Sequence, residues 1–314
     1  MRVLITGATG FVGRHLSRLA LSKKNVQVYG LVRPGSVSKL VMGVEPAQGD
    51  LSSAEALETI LKQVKPGLIF HLAGQASPKL AREDPKQTFE VNVEGTRRFL
   101  DAVVSSAPSA RVLVAGSSDA YGQSAKQGKK LTEEDALQPD PGNVYGISKA
   151  KQECVALDFH RKNRLDIVCV RAFNHLGPGQ DIGYVTTDFA SKIDAIEKGL
   201  QEKAEMVTGN LDSVRDFTDV RDMAQAYWLA LEKGKSGEVY NVASGVGHRM
   251  DEILQFFLKR VSVTITVCPD PDARPSYFIG DARKFIRTTG WQVSIPFETS
   301  LRDVWEDWRE KCAS

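Results

Sequence analysis

"ITGATGFVG", Ile5 to Gly13, decides how the rest of the sequence is read. A short apolar run, Arg2–Ile5, leads into it, and a helical pattern, Phe11–Ser22, follows. Gly7, Gly10 and Gly13 therefore stand, as GxxGxxG, at the turn between a strand and a helix. Glycines there allow a tight turn and close backbone approach to a pyrophosphate. The free N–H groups and positive end of the helix then hold the anion. Three glycines can also make a turn and nothing more, and the spacing is not the GxGxxG of the simplest dinucleotide fingerprint. The position between strand and helix favours the phosphate-binding reading.

Moving outward, short apolar runs keep alternating with helical patterns. Arg2–Ile5, Val26–Val32, Leu68–Leu72, Val112–Ala115 and Ile167–Val170 read as buried strands. Phe11–Ser22, Ala54–Val64, Pro85–Ser105 and Tyr145–Lys162 read as helices. This alternation predicts an α/β fold, a doubly wound, Rossmann-like parallel sheet. After about Arg171 the regularity fades. "NHLGPGQ" (Asn174–Gln180) reads as a loop, Thr186–Leu200 and Asp219–Glu232 as helices, and Glu238–Val242 as a strand. A β-branched run, Val261–Val267, a turn, "PDPDARP", and a helix near Ser300–Lys311 complete the chain. The expected division is a dinucleotide-binding domain from residues 1–171 plus about 219–243. A smaller C-terminal substrate lobe takes about 172–218 plus 244–314.

The totals narrow the function. The 314 residues are 42% hydrophobic and 25% charged, with a net charge of +2. That balance gives no electrostatic reason to expect nucleic acid or a membrane surface as a partner. No stretch approaches the roughly 20 apolar residues of a membrane helix. Cys154, Cys169, Cys268 and Cys312 form no CxxC pair, so no metal site is expected, and scattered cysteines fit a reducing compartment. The expected location is cytoplasmic.

Three further stretches bear on the chemistry of the glycine loop. A dinucleotide site often carries an acid for the ribose about 20 residues past the loop. "YGLVRPGS" offers Arg33 instead, and a guanidinium suits a 2′-phosphate, which favours NADPH over NADH. Asp50, in "QGDL", stands where it would face the adenine end, or cap a helix over Ser52–Leu61. "NVYGISKAK" holds Tyr145 and Lys149, four apart on one helical face. An ammonium there would stabilise a phenolate, lower the tyrosine pKa, and suit Tyr145 to protonating a carbonyl oxygen as hydride arrives at its carbon.

Together these elements resemble the extended short-chain dehydrogenases/reductases over essentially the whole chain. "HLAG" (His71–Gly74), "NVEGT" (Asn92–Thr96) and "GSSDAYG" (Gly116–Gly122) resemble the nucleotide-sugar branch. "RAFNHLGPGQ" (Arg171–Gln180), "DFASKI" (Asp188–Ile193) and "GNLDSVRDFTDVRD" (Gly209–Asp222) are similar to its GDP-sugar members. Among these the nearest are the GDP-6-deoxy-4-keto-D-mannose reductases, which form GDP-D-rhamnose, with the GDP-mannose 4,6-dehydratases as relatives. The resemblance implies that Tyr145 and Lys149 are the catalytic pair and that Ser117 hydrogen-bonds the C4 oxygen. It implies that Gly7, Gly10, Phe11, Val12 and Gly13 hold the pyrophosphate, that Asp50 and Leu51 meet adenine, and that Leu72, Ala73 and Gly74 line the nicotinamide ribose. Asn174 would touch the substrate diphosphate, and Lys192, Arg215 and Arg274 the nucleotide phosphates and ribose. Arg215 could instead pair with Asp216 or Asp219, and Lys192 with Asp188. A homodimer through the two long helices is also implied.

Asp119 is a further catalytic candidate. GDP-mannose dehydratases carry a glutamate at this position, two residues before the tyrosine of "YG", as a base for elimination. An aspartate is one methylene shorter, and a misplacement near 1 Å costs about a hundredfold. The expected reaction is therefore NAD(P)H-dependent reduction of the C4 ketone of GDP-4-keto-6-deoxy-D-mannose to GDP-D-rhamnose. The alternatives are a GDP-mannose 4,6-dehydratase, another nucleotide-sugar epimerase or dehydratase, and a non-catalytic dinucleotide sensor.

Overall fold

The computed structural model describes residues 1–201 and 203–312. The first half runs β1 (Arg2–Thr6), α1 (Phe11–Leu21), β2 (Gln27–Val32), β3 (Glu45–Gln48), α2 (Ala54–Val64), β4 (Leu68–His71), α3 (Pro78–Glu83), α4 (Pro85–Phe89), α5 (Gly95–Ser106), β5 (Arg111–Ser117), α6 (Val144–Asn163) and β6 (Asp166–Ala172). The second half continues with β7 (Asn174–Leu176), α7 (Val185–Glu197), β8 (Glu205–Thr208), β9 (Val214–Asp219), α8 (Val220–Lys233), β10 (Val239–Val242), β11 (Gly247–Arg249), α9 (Met250–Leu258), β12 (Thr266–Pro269), β13 (Tyr277–Phe278), α10 (Arg283–Thr289) and α11 (Phe297–Lys311).

Seven parallel strands form the main sheet in the order β3-β2-β1-β4-β5-β6-β10. Its inner strands β1, β4, β5 and β6 are apolar at consecutive positions because both faces are covered. Successive side chains point to opposite faces, and the two cores divide accordingly. Leu4, Val112, Val114, Ile167 and Cys169 pack with residues of α2, α5 and α6. Val3, Ile5, Leu113, Val168 and Val170 pack with α1, α8 and α10 on the other side. Strand order reverses between β1 and β4, which opens a crevice at their C-terminal ends. A third core joins α7, α9, α11 and Phe217 of β9. Among the described residues, no helix is long and apolar enough to cross a membrane.

Three expected elements differ; the expected loop Asn174–Gln180 opens as a strand, β7, which pairs with β9. Pro85–Ser105 is not one helix: α4 and α5 are joined by a π-turn, Glu90–Glu94. The wider turn places Asn92 inward. Its Oδ1 accepts from Gln75 N at 2.7 Å, and its Nδ2 donates to Ser148 Oγ at 2.9 Å. The run Val261–Val267 is not a continuous strand. Only Thr266–Pro269 pairs, with Glu205–Thr208, while Val261, Val263 and Ile265 turn into the third core.

A buried ion pair fixes α6 to the sheet. Arg171 of β6 donates to both oxygens of Glu153 on α6, at 2.9 and 2.7 Å, and to the Tyr121 hydroxyl at 2.8 Å. Both charges are withdrawn from water, so neither tolerates loss of the other. Glu153→Ala should cost about 3–5 kcal/mol of stability, read from urea denaturation. A loss under about 1 kcal/mol would mean that the pair does not fasten the helix.

Candidate active site

A cavity of about 1080 Å³ runs along the C-terminal ends of the main-sheet strands, from Arg33 and Asp50 at one end to Asn210 and Arg215 at the other. Gly7, Gly10, Phe11, Val12 and Gly13 line its floor. Gly7 holds a φ of +72°, a conformation that side chains disfavour. A Cβ on Gly13 would stand 2.1 Å from the Gly7 carbonyl oxygen, so helix and loop meet only because it is glycine. Gly10 caps α1 without a side chain, and the first turn carries no acid. Its N–H groups are thus left open toward the cavity, a cradle that fits a pyrophosphate.

At one end, Arg33 stands exposed on the rim beside Asp50 and Leu51. Hydrogen bonds from Ser52, helped by the positive charge of Arg33, hold the Asp50 carboxyl below its usual range. Asp50 does not cap the following helix; Ser53 does, accepting from Ala56 N at 3.3 Å. Leu72, Ala73 and Gly74 line the middle of the cavity.

Ser117, Asp119, Tyr145 and Lys149 come together opposite the glycine loop. Ser117 ends β5, and its Oγ accepts from Asp119 N at 3.2 Å, leaving the hydroxyl proton free to donate. Asn143 caps α6 by accepting from Gly146 N at 3.0 Å, and this sets the entry of the helix that carries Tyr145 and Lys149. Lys149 is only 6% exposed. Its Nζ donates to Ala115 O at 2.9 Å and to Gln152 Oε1 at 2.8 Å, and burial lowers its pKa to about 8.

Tyr145 departs from expectation. Lys149 was expected to lower its pKa, but burial and the nearby negative charge of Asp119 raise it, against a hydrogen bond from Ser117. Tyr145 is a neutral phenol throughout the neutral range, a proton donor rather than a ready base. Asp119 is itself pushed up by burial, while Arg215 and Asn143 pull it down.

The far end is built by the second half of the chain. Asn174 and Arg215 line the cavity. Arg215 pairs with neither Asp216 nor Asp219. It donates to Ser276 O at 2.7 Å and lies over the Phe278 ring. Asp216 instead accepts from Ser244 N, Gly245 N and Gly280 N, which braces β9 beneath Arg215. Asp219 binds Arg221. Lys192 and Arg274 do not line the cavity. Lys192 donates to Val207 O at 3.1 Å, and Asp188 is taken by Gly183 N rather than by Lys192. Arg274 is exposed in the turn after β12. Lining groups outside the sequence expectations include His175, which stacks on Phe11, Gln180, Tyr184 and Tyr227. His175 and Gln180 lie inside "FNHLGPGQ" and were legible there; Tyr227, on the buried face of α8, carries no local signal.

A family model described as the NAD dependent epimerase/dehydratase family matches residues 3–243. The chain belongs to the NAD dependent epimerase/dehydratase family. Among curated members, the chain is 32% identical to the GDP-6-deoxy-D-mannose reductase of Pseudomonas aeruginosa, over 99% of this chain and 98% of that one. It is 30% identical to the GDP-6-deoxy-D-talose 4-dehydrogenase of Aggregatibacter actinomycetemcomitans, over 81% and 78%. Among solved structures, RMD from Pseudomonas aeruginosa complexed with NADPH superposes with a TM-score of 0.86 at 30% identity, covering 99% of each chain.

The buried ammonium sets a pH limit for any reaction that needs Lys149 charged. Its pKa in the folded protein lies below the ordinary lysine value, so the charge is present below about pH 8 and lost above it. kcat/KM, which reports the free enzyme, should fall on the alkaline side with an apparent pKa of about 8. A profile flat to pH 10 would show that the charge is not required.

Proposed function

We propose that this enzyme reduces the C4 ketone of GDP-4-keto-6-deoxy-D-mannose to GDP-D-rhamnose, with NADPH as the preferred reductant and NADH as the poorer one. The observation that carries the reading is geometric: Tyr145, a neutral phenol, lines one cavity with the Ser117 hydroxyl, Lys149 and the glycine loop. Reduction of a ketone requires one proton at oxygen and none removed from carbon.

In this reading, Gly7, Gly10, Phe11, Val12 and Gly13 hold the cofactor's pyrophosphate, Arg33 its 2′-phosphate, and Leu72, Ala73 and Gly74 its nicotinamide ribose. Bound NADPH supplies a hydride. Ser117 donates a hydrogen bond to the C4 oxygen and holds the ketone in place. As the oxygen gains alkoxide character it becomes a stronger base than a phenolate, and the Tyr145 proton transfers to it. Lys149, one helical turn on, stabilises the phenolate left behind. Asn174 and Arg215 meet the nucleotide phosphates. Residues 1–171 with 219–243 form the cofactor half, and 172–218 with 244–314 the substrate half. The enzyme works in the cytoplasm as a homodimer paired through α5 and α6.

Asp119 separates this reading from a dehydratase. Its carboxylate is buried and accepts from Asn143 Nδ2 at 3.5 Å, and it is one methylene shorter than the elimination base of a dehydratase. Reduction of the same ketone from its other face gives GDP-6-deoxy-D-talose, and NMR of the product sugar tells the two apart. The test is incubation with GDP-4-keto-6-deoxymannose and NADPH. Falling absorbance with a rhamnose product supports the proposal; dehydration of GDP-mannose without NADPH oxidation overturns it. Tyr145→Phe should lower turnover by about 10²–10⁴-fold while NADPH binding stays near wild type. A variant that keeps its turnover would exclude Tyr145 as the proton donor.

A further inference from the structure

One fully buried side chain behind the cavity has one end on Lys149 and the other on Thr96. Gln152, one turn past Lys149 on α6, has no exposed surface. Its Oε1 accepts from Lys149 Nζ at 2.8 Å, and its Nε2 donates to Thr96 Oγ1 at 2.9 Å. An ammonium can only donate, so the orientation of the amide is fixed: oxygen toward Lys149, nitrogen toward Thr96.

The proton count runs on from there. Thr96 has a single hydroxyl proton, and Asn92 O takes it at 2.8 Å. Thr96 Oγ1 must therefore accept both from Gln152 and from His71 Nε2, 2.9 Å away. That places the histidine proton on Nε2. Burial keeps His71 neutral, with a pKa of about 3. Its Nδ1 is then bare and accepts from the Thr6 hydroxyl at 2.9 Å, and Thr6 in turn accepts from Ala73 N at 3.0 Å. Thr6, His71, Asn92, Thr96 and Gln152 are all buried. Each proton in this chain has one place to be, so Gln152 cannot flip its amide without leaving a buried donor or acceptor unpaired.

Two of the three Lys149 N–H groups are thereby used, on Ala115 O and Gln152 Oε1. The third is left for the cavity. Gly74 lies beside it, and a Cβ there would stand 2.8 Å from Asn92 Oδ1. We infer that Gln152 is a positioning residue: locked by Thr96, His71 and Thr6, its amide oxygen holds the Lys149 ammonium in its charged form and aims its third N–H at the bound cofactor and phenol. This rests on the proposed reduction only in naming what the ammonium serves.

The other ionisable groups near Lys149 are already engaged. Tyr145, one turn back, is a neutral phenol, and His71 from β4 is neutral. Asp119, after β5, accepts from Asn143 Nδ2 at 3.5 Å. Glu153, next on α6, is taken by Arg171 of β6. On the π-turn and α5, Glu94 and Glu90 pair with Arg97 and Arg98. Gln152 is thus the group whose removal should move the lysine.

The experiment is an NMR titration of the Lys149 ε-methylene in 13C-lysine-labelled protein without substrate, for wild type, Gln152→Leu and Gln152→Glu. It is joined by kcat and by NADPH affinity from fluorescence. In Gln152→Leu, the lysine should titrate about one pH unit lower or more, and kcat should fall on the order of a hundredfold. Gln152→Glu restores an acceptor of equal reach, so the titration should move above wild type and kcat should recover part of the loss. A folded Gln152→Leu with unchanged titration and kcat overturns the inference. If that variant does not fold, an unchanged lysine titration in Gln152→Glu overturns it. The titration uses no substrate, so a wrong substrate assignment leaves it untouched.

Discussion

The proposed chemistry depends on one charge held out of water. Lys149 lies beneath the cavity surface, where an ammonium is costly unless it is hydrogen-bonded. Two acceptors meet it: the carbonyl of Ala115 at the end of β5 and the amide of Gln152 on its own helix. Each acceptor needs its element in place. β5 must lie between β4 and β6, and α6 must sit against it with its Arg171–Glu153 clamp made. The fold and the charge state of the lysine are therefore one problem.

The same logic extends to both ends of the cavity. The reversal of strand order between β1 and β4 leaves the glycine loop and Ala73 on the two sides of one crevice. The loop after β7 closes over α1, with Arg14 donating to Gly179 O and His15 meeting Pro178 O. β9 brings Arg215 to the far end, and the buried carboxylate of Asp216 gathers three backbone donors to hold it there. A rigid cofactor cradle and a separately built anion-facing end suit a substrate carrying a diphosphate.

Much of this was legible in the sequence where the signal is local. The doubly wound sheet follows from alternating runs and from a glycine loop that sits between strand and helix. Met250–Leu258, "MDEILQFFL", carries a helical pattern as plain as the others, yet it lay in the half where regularity fades. The π-turn was not legible, because a hydrophobic period reads straight through one extra residue. Nor was the direction of the Tyr145 shift. Four-residue spacing puts Lys149 nearby, but burial and Asp119 arrive from other parts of the chain. Lys192 and Arg274 were named through resemblance; in the structure Lys192 donates to the Val207 carbonyl and Arg274 lies exposed. Gln152 had no sequence signal, since its partner Thr96 lies on another helix, 56 residues away.

In the proposed reduction, hydride passes from an external nicotinamide to the hexose C4 carbon, with Tyr145 supplying the proton. The most direct measurement uses NADPH deuterated at both C4 positions of the nicotinamide, with GDP-4-keto-6-deoxymannose as acceptor, followed by NMR of the product sugar. One deuterium at hexose C4, absent when Tyr145→Phe replaces the wild type over the same time, is the predicted result. Deuterium at C6, or product formed with no deuterium at all, would contradict it.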